Sequence, residues 1–239
     1  MKKTIKKAVM IVLGVFLLVL VVVGISFYRM TNRVDEAMYD EVLLDYDSTR
    51  DYIEVNSPNP VAHLIYYPGG LVEAESYLYQ ASLLAEAGIH VIIPKMPFNL
   101  AILNRDAFLD YYEADGLPWY IAGHSLGGAS ATYVVASDAD KMAGLILLAA
   151  YPPASIDLSD VDIAVLSITA NLDGVMDTAR YEERKALLPQ DTVFKEIAGG
   201  NHAQFGFYGT QRGDYDALIS VHKQHEIITE TIIEFIKEN

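Results

Sequence analysis

Hydrophobic residues form one long run near the amino terminus and many short runs after it. The long run, Ala8–Phe27, has 20 residues and no charge. A helix of that length spans about 30 Å, which matches the hydrocarbon core of a bilayer. Four lysines precede the run, and such an excess of basic residues favours a cytoplasmic amino terminus. We therefore expect a single-pass anchor in the cell membrane, with the rest of the chain outside the cell.

A cleaved signal peptide is the alternative for this segment, because it has the same basic start. Its apolar stretch is normally shorter and ends in a cleavage site of the small-x-small type, for which Gly24–Ser26 is a weak candidate. Arg29 and Arg33 oppose the expected orientation, but acidic residues follow them. The length of the run favours an anchor that is not cleaved.

Short β-rich runs alternate with helical patterns in the rest of the chain. Wholly apolar runs such as Leu145–Leu148 are typical of strands buried on both faces. The repeated order of strand and helix predicts an α/β domain, with helices on both faces of a mostly parallel sheet. The predicted strands are Tyr52–Val55, Val61–Tyr67, His90–Pro94, Trp119–Ala122, Gly144–Ala149, Ile163–Thr169 and Thr192–Ile197. The predicted helices are Ala74–Ala87, Leu100–Tyr112, Leu126–Ser137, Met176–Leu187 and Asp216–Lys237.

The pattern divides the chain into three segments. Residues 1–28 form a basic stub and the transmembrane anchor, residues 29–50 form a polar tether and a first edge strand, and residues 51–239 form the α/β domain. About 210 residues after the anchor suffice for one domain with a large core. The segment between Tyr151 and Ile163 is too short for a cap domain, so we expect an open pocket that suits small substrates.

Charge and composition exclude several classes of function. The chain has 32 acidic and 17 basic residues. Four of the basic residues precede Ala8, so the remainder has 13 basic residues and a net charge of −19. Such a domain would repel phosphates, and a nucleic-acid partner is not expected. Because the chain has no cysteine, disulfides, thiolate nucleophiles and cysteine-ligated zinc are excluded.

Residues 123–128 read GHSLGG and lie between a predicted strand and a predicted helix. In the G-x-S-x-G pattern, a serine nucleophile occupies a strained strand-to-helix turn, and the glycines leave room for close approach of the chain. Ser125 is therefore the predicted nucleophile of an elbow that includes Gly123 and Gly127. The following helix points its amino-terminal amides at the site. His124 is expected to pack or to form a hydrogen bond rather than to react.

Attack by a serine creates an oxyanion that needs two backbone donors. Leu126, the residue after the nucleophile, is expected to supply one of them. The second should come from the loop after an early central strand, where residues 63–71 read HLIYYPGGL. Gly70 and Leu71 are both candidates, and the sequence does not decide between them. An ordinary Pro-Gly turn is the alternative for this loop.

The acid and the histidine of such a site follow the nucleophile in chain order. After a late predicted strand, residues 170–177 read ANLDGVMD, and Asp173 is the predicted acid because it lies on the turn. Asp177 is the alternative, although its position suits the N-cap of the next helix. After the next strand, residues 198–203 read AGGNHA, and His202 is the predicted base. One of its ring nitrogens has to reach the nucleophile and the other has to reach the acid.

Three stretches resemble the α/β-hydrolase superfamily, and in particular a lidless bacterial subfamily related to the dienelactone-hydrolase-like proteins. They are residues 66–73, 123–128 and 199–206, which read YYPGGLVE, GHSLGG and GGNHAQFG. The resemblance covers most of the chain after Asp51. It implies an eight-stranded, mostly parallel sheet and hydrolysis of esters or lactones without a cofactor or metal. Dienelactone hydrolases use a cysteine nucleophile, whereas this chain has Ser125 and no cysteine, so their substrate is not implied.

The expected function is therefore cleavage of carboxylic esters or lactones of small molecules, through a Ser–Asp–His triad and an acyl-enzyme. An acyltransferase or peptidase with the same triad is one alternative, and a non-catalytic binding module at the cell surface is another. Residues 207–214 read FYGTQRGD and indicate a tight loop beside the base. No chemical role is assigned to Gln211 or Asp214. The sequence does not indicate the natural substrate, the acyl chain length or the oligomeric state.

Overall fold

The computed structural model describes residues 2–42 and 44–239, which fall into two compact units. The first unit ends at Thr31 and contains helix α1, Lys2–Met30. Its segment Met10–Met30 is apolar, is not buried against protein, and is long enough to cross a membrane. A signal sequence near an amino terminus has the same properties. The helix is therefore a candidate membrane span.

The second unit, Asn32–Asn239, is built around one eight-stranded sheet. Its strands are β1 (Tyr46–Ser48), β2 (Tyr52–Val55), β3 (Ala62–Tyr67), β4 (Ile89–Pro94), β5 (Trp119–His124), β6 (Gly144–Leu148), β7 (Ala164–Ala170) and β8 (Val193–Ile197). Their order in the sheet is β1-β2-β4-β3-β5-β6-β7-β8. β2 pairs antiparallel with β1 and β4, and all other pairs are parallel. The carboxyl ends of β3 to β8 therefore share one edge of the sheet.

Helices cover both faces of the sheet. They are α2 (Leu78–Glu86), α3 (Ala107–Tyr111), α4 (Leu126–Asp138), α5 (Thr178–Arg184) and α6 (Val221–Glu238). Along β3, Leu64 and Tyr66 face the core that α2 and α6 cover, whereas Ile65 and Tyr67 face the core that α3 and α4 cover. Successive side chains of a strand point to opposite faces, so strands covered on both sides are apolar throughout. The predicted fold class is confirmed, and residues 149–163 between β6 and β7 contain no helix and no cap domain.

The predicted helix Leu100–Tyr112 is wrong over most of its length. The structure has two 3-10 turns within residues 97–103, followed by the five-residue helix α3. Phe98 and Asn99 both have a φ angle of 54°, in a region that residues with side chains seldom occupy. The carbonyl of Asn99 accepts a hydrogen bond from the amide of Leu71 at 2.7 Å. The backbone of this segment therefore supports a neighbouring loop instead of a helix.

The last helix, α6, starts later than the predicted position Asp216. Ser220 is its N-cap, because the Ser220 hydroxyl accepts a hydrogen bond from the amide of Lys223 at 3.2 Å. Before the cap, the amide of Leu218 donates to the carbonyl of Gly199 at 2.7 Å. The segment before Ser220 is thus bonded to the loop after β8, which prevents it from extending the helix.

The predicted tether packs against the domain from Asn32 onwards. The amide of Asn32 donates to the carbonyl of Leu71 at 2.7 Å, and the amide of Asp35 donates to the carbonyl of Phe207 at 2.9 Å. Met38 is fully buried. Strand β1 follows and lies at the edge of the sheet. Because of these contacts, the residues from Asn32 onwards belong to the second compact unit.

Candidate active site

Ser125 lies where the chain passes from β5 into α4. Its φ and ψ angles are 51° and −118°, a conformation that a residue with a side chain adopts only under constraint. Its amide donates to the carbonyl of Leu148 at 2.9 Å, and its carbonyl accepts from the amide of Ala129 at 3.0 Å. This strained strand-to-helix turn has the geometry expected of a nucleophile elbow.

Two glycines of the elbow are required by backbone contacts. A Cβ on Gly123 would lie 2.5 Å from the carbonyl carbon of Gly127. A Cβ on Gly127 would overlap the carbonyl oxygens of Tyr67 and Pro68. Close-packed backbone cannot move aside for a methyl group without disturbing its neighbours. The glycines thus let β5, α4 and the loop after β3 touch one another around Ser125.

The loop after β3 also passes beside the first residue of α4. A Cβ on Gly70 would lie 2.9 Å from Cδ2 of Leu126. Throughout residues 2–42 and 44–239, the amides of Gly70 and Leu126 donate to no other protein group. The amide of Leu71 differs, because it donates to the carbonyl of Asn99 at 2.7 Å. Of the two candidate donors in this loop, the amide of Gly70 is therefore unpaired within the described residues and the amide of Leu71 is not.

Asp173 and His202 meet after the carboxyl ends of β7 and β8. Oδ2 of Asp173 lies 2.7 Å from Nδ1 of His202, and each of the two side chains is only 2% exposed. The other oxygen, Oδ1, accepts hydrogen bonds from the amides of Val175 and Met176, both at 2.8 Å. These bonds orient the carboxylate towards His202. A carboxylate accepts hydrogen bonds only, so it selects the imidazole tautomer with the proton on Nδ1.

Asp177, the alternative acid, is instead the N-cap of helix α5. Its Oδ1 accepts a hydrogen bond from the amide of Arg180 at 3.0 Å, and its Oδ2 lies 3.2 Å from Nε of Arg180. The first contact is that of an N-cap, which satisfies an otherwise unpaired amide of the first helical turn. The structure therefore brings Asp173, and not Asp177, into contact with His202.

His202 lies next to the elbow. Its ring centroid is 4.6 Å from that of His124, the residue before Ser125. Within the described parts of the chain, Oγ of Ser125 and Nε2 of His202 do not form a hydrogen bond. In enzymes of this type the contact between nucleophile and base often becomes short only in the complex with substrate. The acid and the base are therefore in contact, and the base lies beside the turn that carries the serine.

Sequence comparison identifies the family. A sequence model of the α/β hydrolase family matches residues 63–226, more than half of the chain. The chain belongs to the α/β hydrolase family. This confirms the superfamily that the three motifs resemble. No curated protein matches the sequence.

Solved structures with the same fold differ widely from this α/β hydrolase in sequence. Dienelactone hydrolase from Anabaena variabilis has a TM-score of 0.58 and 13% identity, over 80% of this chain and 96% of its own. Est1E from Butyrivibrio proteoclasticus with ferulic acid bound has a TM-score of 0.60 and 15% identity, over 81% of this chain and 99% of its own. A soluble variant of monoglyceride lipase from Saccharomyces cerevisiae has a TM-score of 0.59 and 10% identity, over 82% of this chain and 94% of its own. At these identities the similarity is one of fold.

Tyr77 and His124 link the loop after β3 to the elbow in this α/β hydrolase. The Tyr77 hydroxyl accepts a hydrogen bond from the amide of Gly69 at 2.8 Å and lies 2.8 Å from Nδ1 of His124. Burial lowers the pKa of His124 well below its ordinary value, and the nearby His202 and His225 lower this pKa further. The imidazole of His124 is therefore neutral, so its Nδ1 can accept the proton of the hydroxyl.

Sequence reasoning did not identify Tyr77. It precedes His124 by 47 positions, and a tyrosine in an apolar helical pattern resembles an ordinary core residue. A single sequence carries no direct signal for such a distant contact. The glycine pair in residues 63–71 offered an indirect one, because a Cβ on Gly69 would lie 2.9 Å from the Tyr77 hydroxyl.

A cavity of about 310 Å³ lies against Ser125. Its other lining residues are Leu126, Ala129, Ala149, Ala150, Tyr151, Val175, Met176 and Asp177. Most of these side chains are apolar and three are alanines, so the cavity can accept a small apolar group next to the serine. Across residues 2–42 and 44–239, no three His, Asp or Glu side chains are grouped as ligands for a metal ion.

Proposed function

We propose that this α/β hydrolase is a serine hydrolase that cleaves carboxylic esters or lactones of small substrates. Ser125 is the nucleophile, His202 the base and Asp173 the acid. The observation that supports this most strongly is the buried 2.7 Å contact between Asp173 and His202 beside the strained turn at Ser125. A histidine oriented by an acid is the arrangement that activates a serine. The solved neighbours include a dienelactone hydrolase and a monoglyceride lipase, whose names denote lactone and ester substrates.

The proposed reaction has two steps. Nε2 of His202 accepts the proton of Ser125 as Oγ attacks the carbonyl carbon, while the amides of Gly70 and Leu126 donate to the oxyanion. Asp173 keeps the Nδ1 proton in place and stabilises the charge of the imidazolium. The imidazolium then protonates the leaving alkoxide. In the second step, Nε2 of His202 takes a proton from a water that attacks the acyl carbon, and the imidazolium returns a proton to Oγ of Ser125 as the bond between Oγ and the acyl carbon breaks.

The cavity beside Ser125 supports small substrates. Its volume of about 310 Å³ is at the lower end of the range for ligand pockets. Ala129, Ala149 and Ala150 contribute only methyl groups to its wall, and residues 149–163 supply no cap that could enclose a long chain. We therefore expect esters with short acyl groups, or small lactones, to be cleaved faster than esters with long acyl chains.

Helix α1 is proposed to remain as an uncleaved anchor, with the catalytic unit outside the cell. Four lysines precede the apolar run, which favours a cytoplasmic amino terminus. Protease added to intact cells should digest the unit that starts at Asn32, and the mass of the intact purified chain should include the helix. Complete protection of this unit would contradict the orientation, and a chain that lacks the helix would contradict the anchor.

Labelling with a fluorophosphonate probe tests the nucleophile, because only an activated serine reacts rapidly with it. The full chain in detergent should be labelled and should hydrolyse short p-nitrophenyl esters. Ser125→Ala should lose the label and at least about 10⁴-fold in kcat. Ser137→Ala is the matched control, because Ser137 is an exposed serine near the end of α4.

The same assay distinguishes the proposed function from the alternative functions. Labelling of Ser125→Ala, or turnover by that variant, would disprove the proposed nucleophile. A folded wild-type chain that neither reacts with the probe nor hydrolyses esters would be a binding module. Transfer of the acyl group to an added alcohol or amine in preference to water would indicate an acyltransferase, and cleavage of amides in preference to esters would indicate a peptidase.

A further inference from the structure

We propose that Asp214 is a positioning residue that holds the acid and the base of the site together. The proposal rests on the proposed function, because it concerns the contact between Asp173 and His202. We call residues 171–177 the acid loop, residues 198–206 the base loop and residues 209–219 the clamp loop. Asp214 lies in the middle of the clamp loop.

The carboxylate of Asp214 binds one loop with each of its oxygens. Oδ1 accepts a hydrogen bond from the amide of Gly174 at 2.9 Å, and Oδ2 accepts one from the amide of Ala203 at 2.7 Å. Gly174 is the residue after Asp173, and Ala203 is the residue after His202. A single side chain therefore connects the two backbone positions that directly follow the acid and the base.

The clamp loop also packs against both of these loops. A Cβ on Gly174 would overlap the carbonyl oxygen of Gly213 and would lie 3.1 Å from Cα of Asp214. On the other side, Nδ2 of Asn201 donates to the carbonyl of Tyr215 at 2.7 Å. The clamp loop thus lies in backbone contact with the acid loop and is hydrogen-bonded to the base loop, and Asp214 is the residue that bonds to both.

Fixing these loops matters because neither Asp173 nor His202 lies on a strand. The two loops are bonded to each other before the acid and the base, where the amide of Leu172 donates to the carbonyl of Gly200 at 3.0 Å and the amide of Gly199 donates to Oδ1 of Asn171 at 2.7 Å. Asp214 joins them again directly after the acid and the base. A misplacement of about 1 Å in a catalytic group can cost roughly 10²-fold in rate. Hydrogen bonds from amides to a charged carboxylate are about twice as strong as those between neutral groups. A carboxylate placed between the loops is therefore suited to keep the acid and the base within hydrogen-bonding distance of each other.

Asp214→Asn gives a sharp test, because asparagine has nearly the shape of aspartate. Its side chain has one oxygen that accepts and one amide nitrogen that only donates. In either orientation, that nitrogen faces a backbone amide of one loop, so one of the two bonds is lost. Asp216→Asn is the matched control, since it removes the same charge from an exposed residue of the same loop that forms no side-chain hydrogen bond within the described residues.

The full chain in detergent is assayed with a short p-nitrophenyl ester, and kcat is expressed per serine that reacts with the fluorophosphonate probe. We expect Asp214→Asn to lower kcat by roughly tenfold to a hundredfold and to change KM less than twofold. Asp216→Asn should change neither constant more than about twofold. Proton NMR should show a low-field resonance for the Nδ1 proton of His202, which Asp214→Asn broadens or shifts and Asp216→Asn retains.

Asp214→Glu extends the test if the asparagine variant does not fold. It keeps both acceptors but moves them on a longer side chain, so its kcat per reactive serine should fall below that of wild type. Unchanged kcat and an unchanged resonance in a folded Asp214→Asn or Asp214→Glu protein would overturn the proposal. Equal losses in Asp214→Asn and Asp216→Asn would also overturn it, since they would reflect charge alone. Failure of the proposed function would instead abolish labelling in the wild-type chain.

Discussion

The two halves of the candidate site are held in place by different forces. The nucleophile half consists of Ser125 and the proposed donors Gly70 and Leu126, and it is fixed by backbone that touches backbone around glycines. The acid–base half consists of Asp173 and His202, and it is fixed by hydrogen bonds from loop amides to carboxylates. The first half therefore depends on the absence of side chains, and the second depends on the presence of particular oxygens.

The two halves also differ in the charge behind them. Behind the nucleophile half lie His124 and His225, whose pKa values are lowered by burial, so this region is neutral. The acid–base half contains the carboxylates of Asp173 and Asp214. Substitutions that add volume should damage the first half, whereas substitutions that exchange an acceptor for a donor should damage the second.

Among substitutions that leave the nucleophile in place, the largest effect is expected in the acid–base half. Asp173→Asn should lower kcat by about 10³- to 10⁴-fold, because the amide can no longer hold the proton on Nδ1 of His202. Asp177→Asn is the matched variant four residues away. It should cost at most about 1 kcal/mol of stability as a weakened N-cap. Because Asp177 also lines the cavity beside Ser125, its KM can change, but its kcat should stay within about threefold of wild type. Ester hydrolysis at saturating substrate measures both, and an equal loss in the two variants would contradict the assignment of the acid.

In the nucleophile half, a substitution that disturbs the packing should lower the stability of the protein. Gly127→Ala places a methyl group against the carbonyl oxygens of Tyr67 and Pro68, and we expect a loss of at least about 3 kcal/mol in unfolding free energy. Gly116→Ala meets no atom within 4 Å but has a φ angle of 93°, so it should cost only about 1–2 kcal/mol. Urea unfolding followed by the fluorescence of Trp119, the single tryptophan, measures this difference. Equal losses would show that the contacts at Gly127 can relax.

Acid should weaken the neutral region behind the nucleophile half. Burial lowers the pKa of His225 to about 4, whereas in the unfolded chain it is about 6.5. Between these values the unfolded state binds a proton that the folded state does not, so stability falls as the pH falls below about 6.5. From pH 7.5 to 5 this amounts to about 2 kcal/mol. The lowered pKa of His124 acts in the same direction.

His225→Gln should reduce this loss of stability in acid, since glutamine does not titrate and can still donate to Gln80, the present partner of His225. His222→Gln, on the same helix, is the control because the His222 side chain is 45% exposed. The measurement is urea unfolding of each variant at pH 7.5 and pH 5. The same decrease in both variants would place the acid sensitivity elsewhere in the protein.

The smallest effect should come from the hydroxyl of Tyr77. Tyr77→Phe leaves the amide of Gly69 and Nδ1 of His124 without their shared partner, and an unpaired buried polar group costs about 1–3 kcal/mol. We expect kcat to fall about tenfold as the loop after β3, which carries the proposed donor Gly70, loosens. Tyr66→Phe removes a buried hydroxyl that has no hydrogen-bond partner within the described chain, so it should be neutral or stabilising. A loss of kcat in Tyr66→Phe as large as in Tyr77→Phe would contradict a specific role for Tyr77.

The local sequence pattern was sufficient to predict the structure where contacts between residues close in the sequence decide it. The apolar strands predicted the doubly covered parallel sheet, and residues 123–128 predicted the elbow, because a glycine-flanked serine between a strand and a helix has few other uses. The same reasoning failed at Leu100–Tyr112. There, two residues in the left-handed region and a backbone bond to Leu71 outweigh the apolar spacing.

The sequence by itself determined the fold class, the family, the candidate membrane helix and the short list of groups that could take part in catalysis. The roles of those catalytic groups remain predictions. Only the tertiary structure decided that Asp173 instead of Asp177 contacts His202, and that the amide of Gly70, unlike that of Leu71, has no partner within the described residues. It also placed Asp214, to which the sequence assigned no chemical role, between two loops. The physical reason is the distance along the sequence between residues that contact each other. Periodicity and motif spacing encode contacts a few residues apart, whereas a hydrogen bond across 40 positions depends on how the whole chain closes around its sheet.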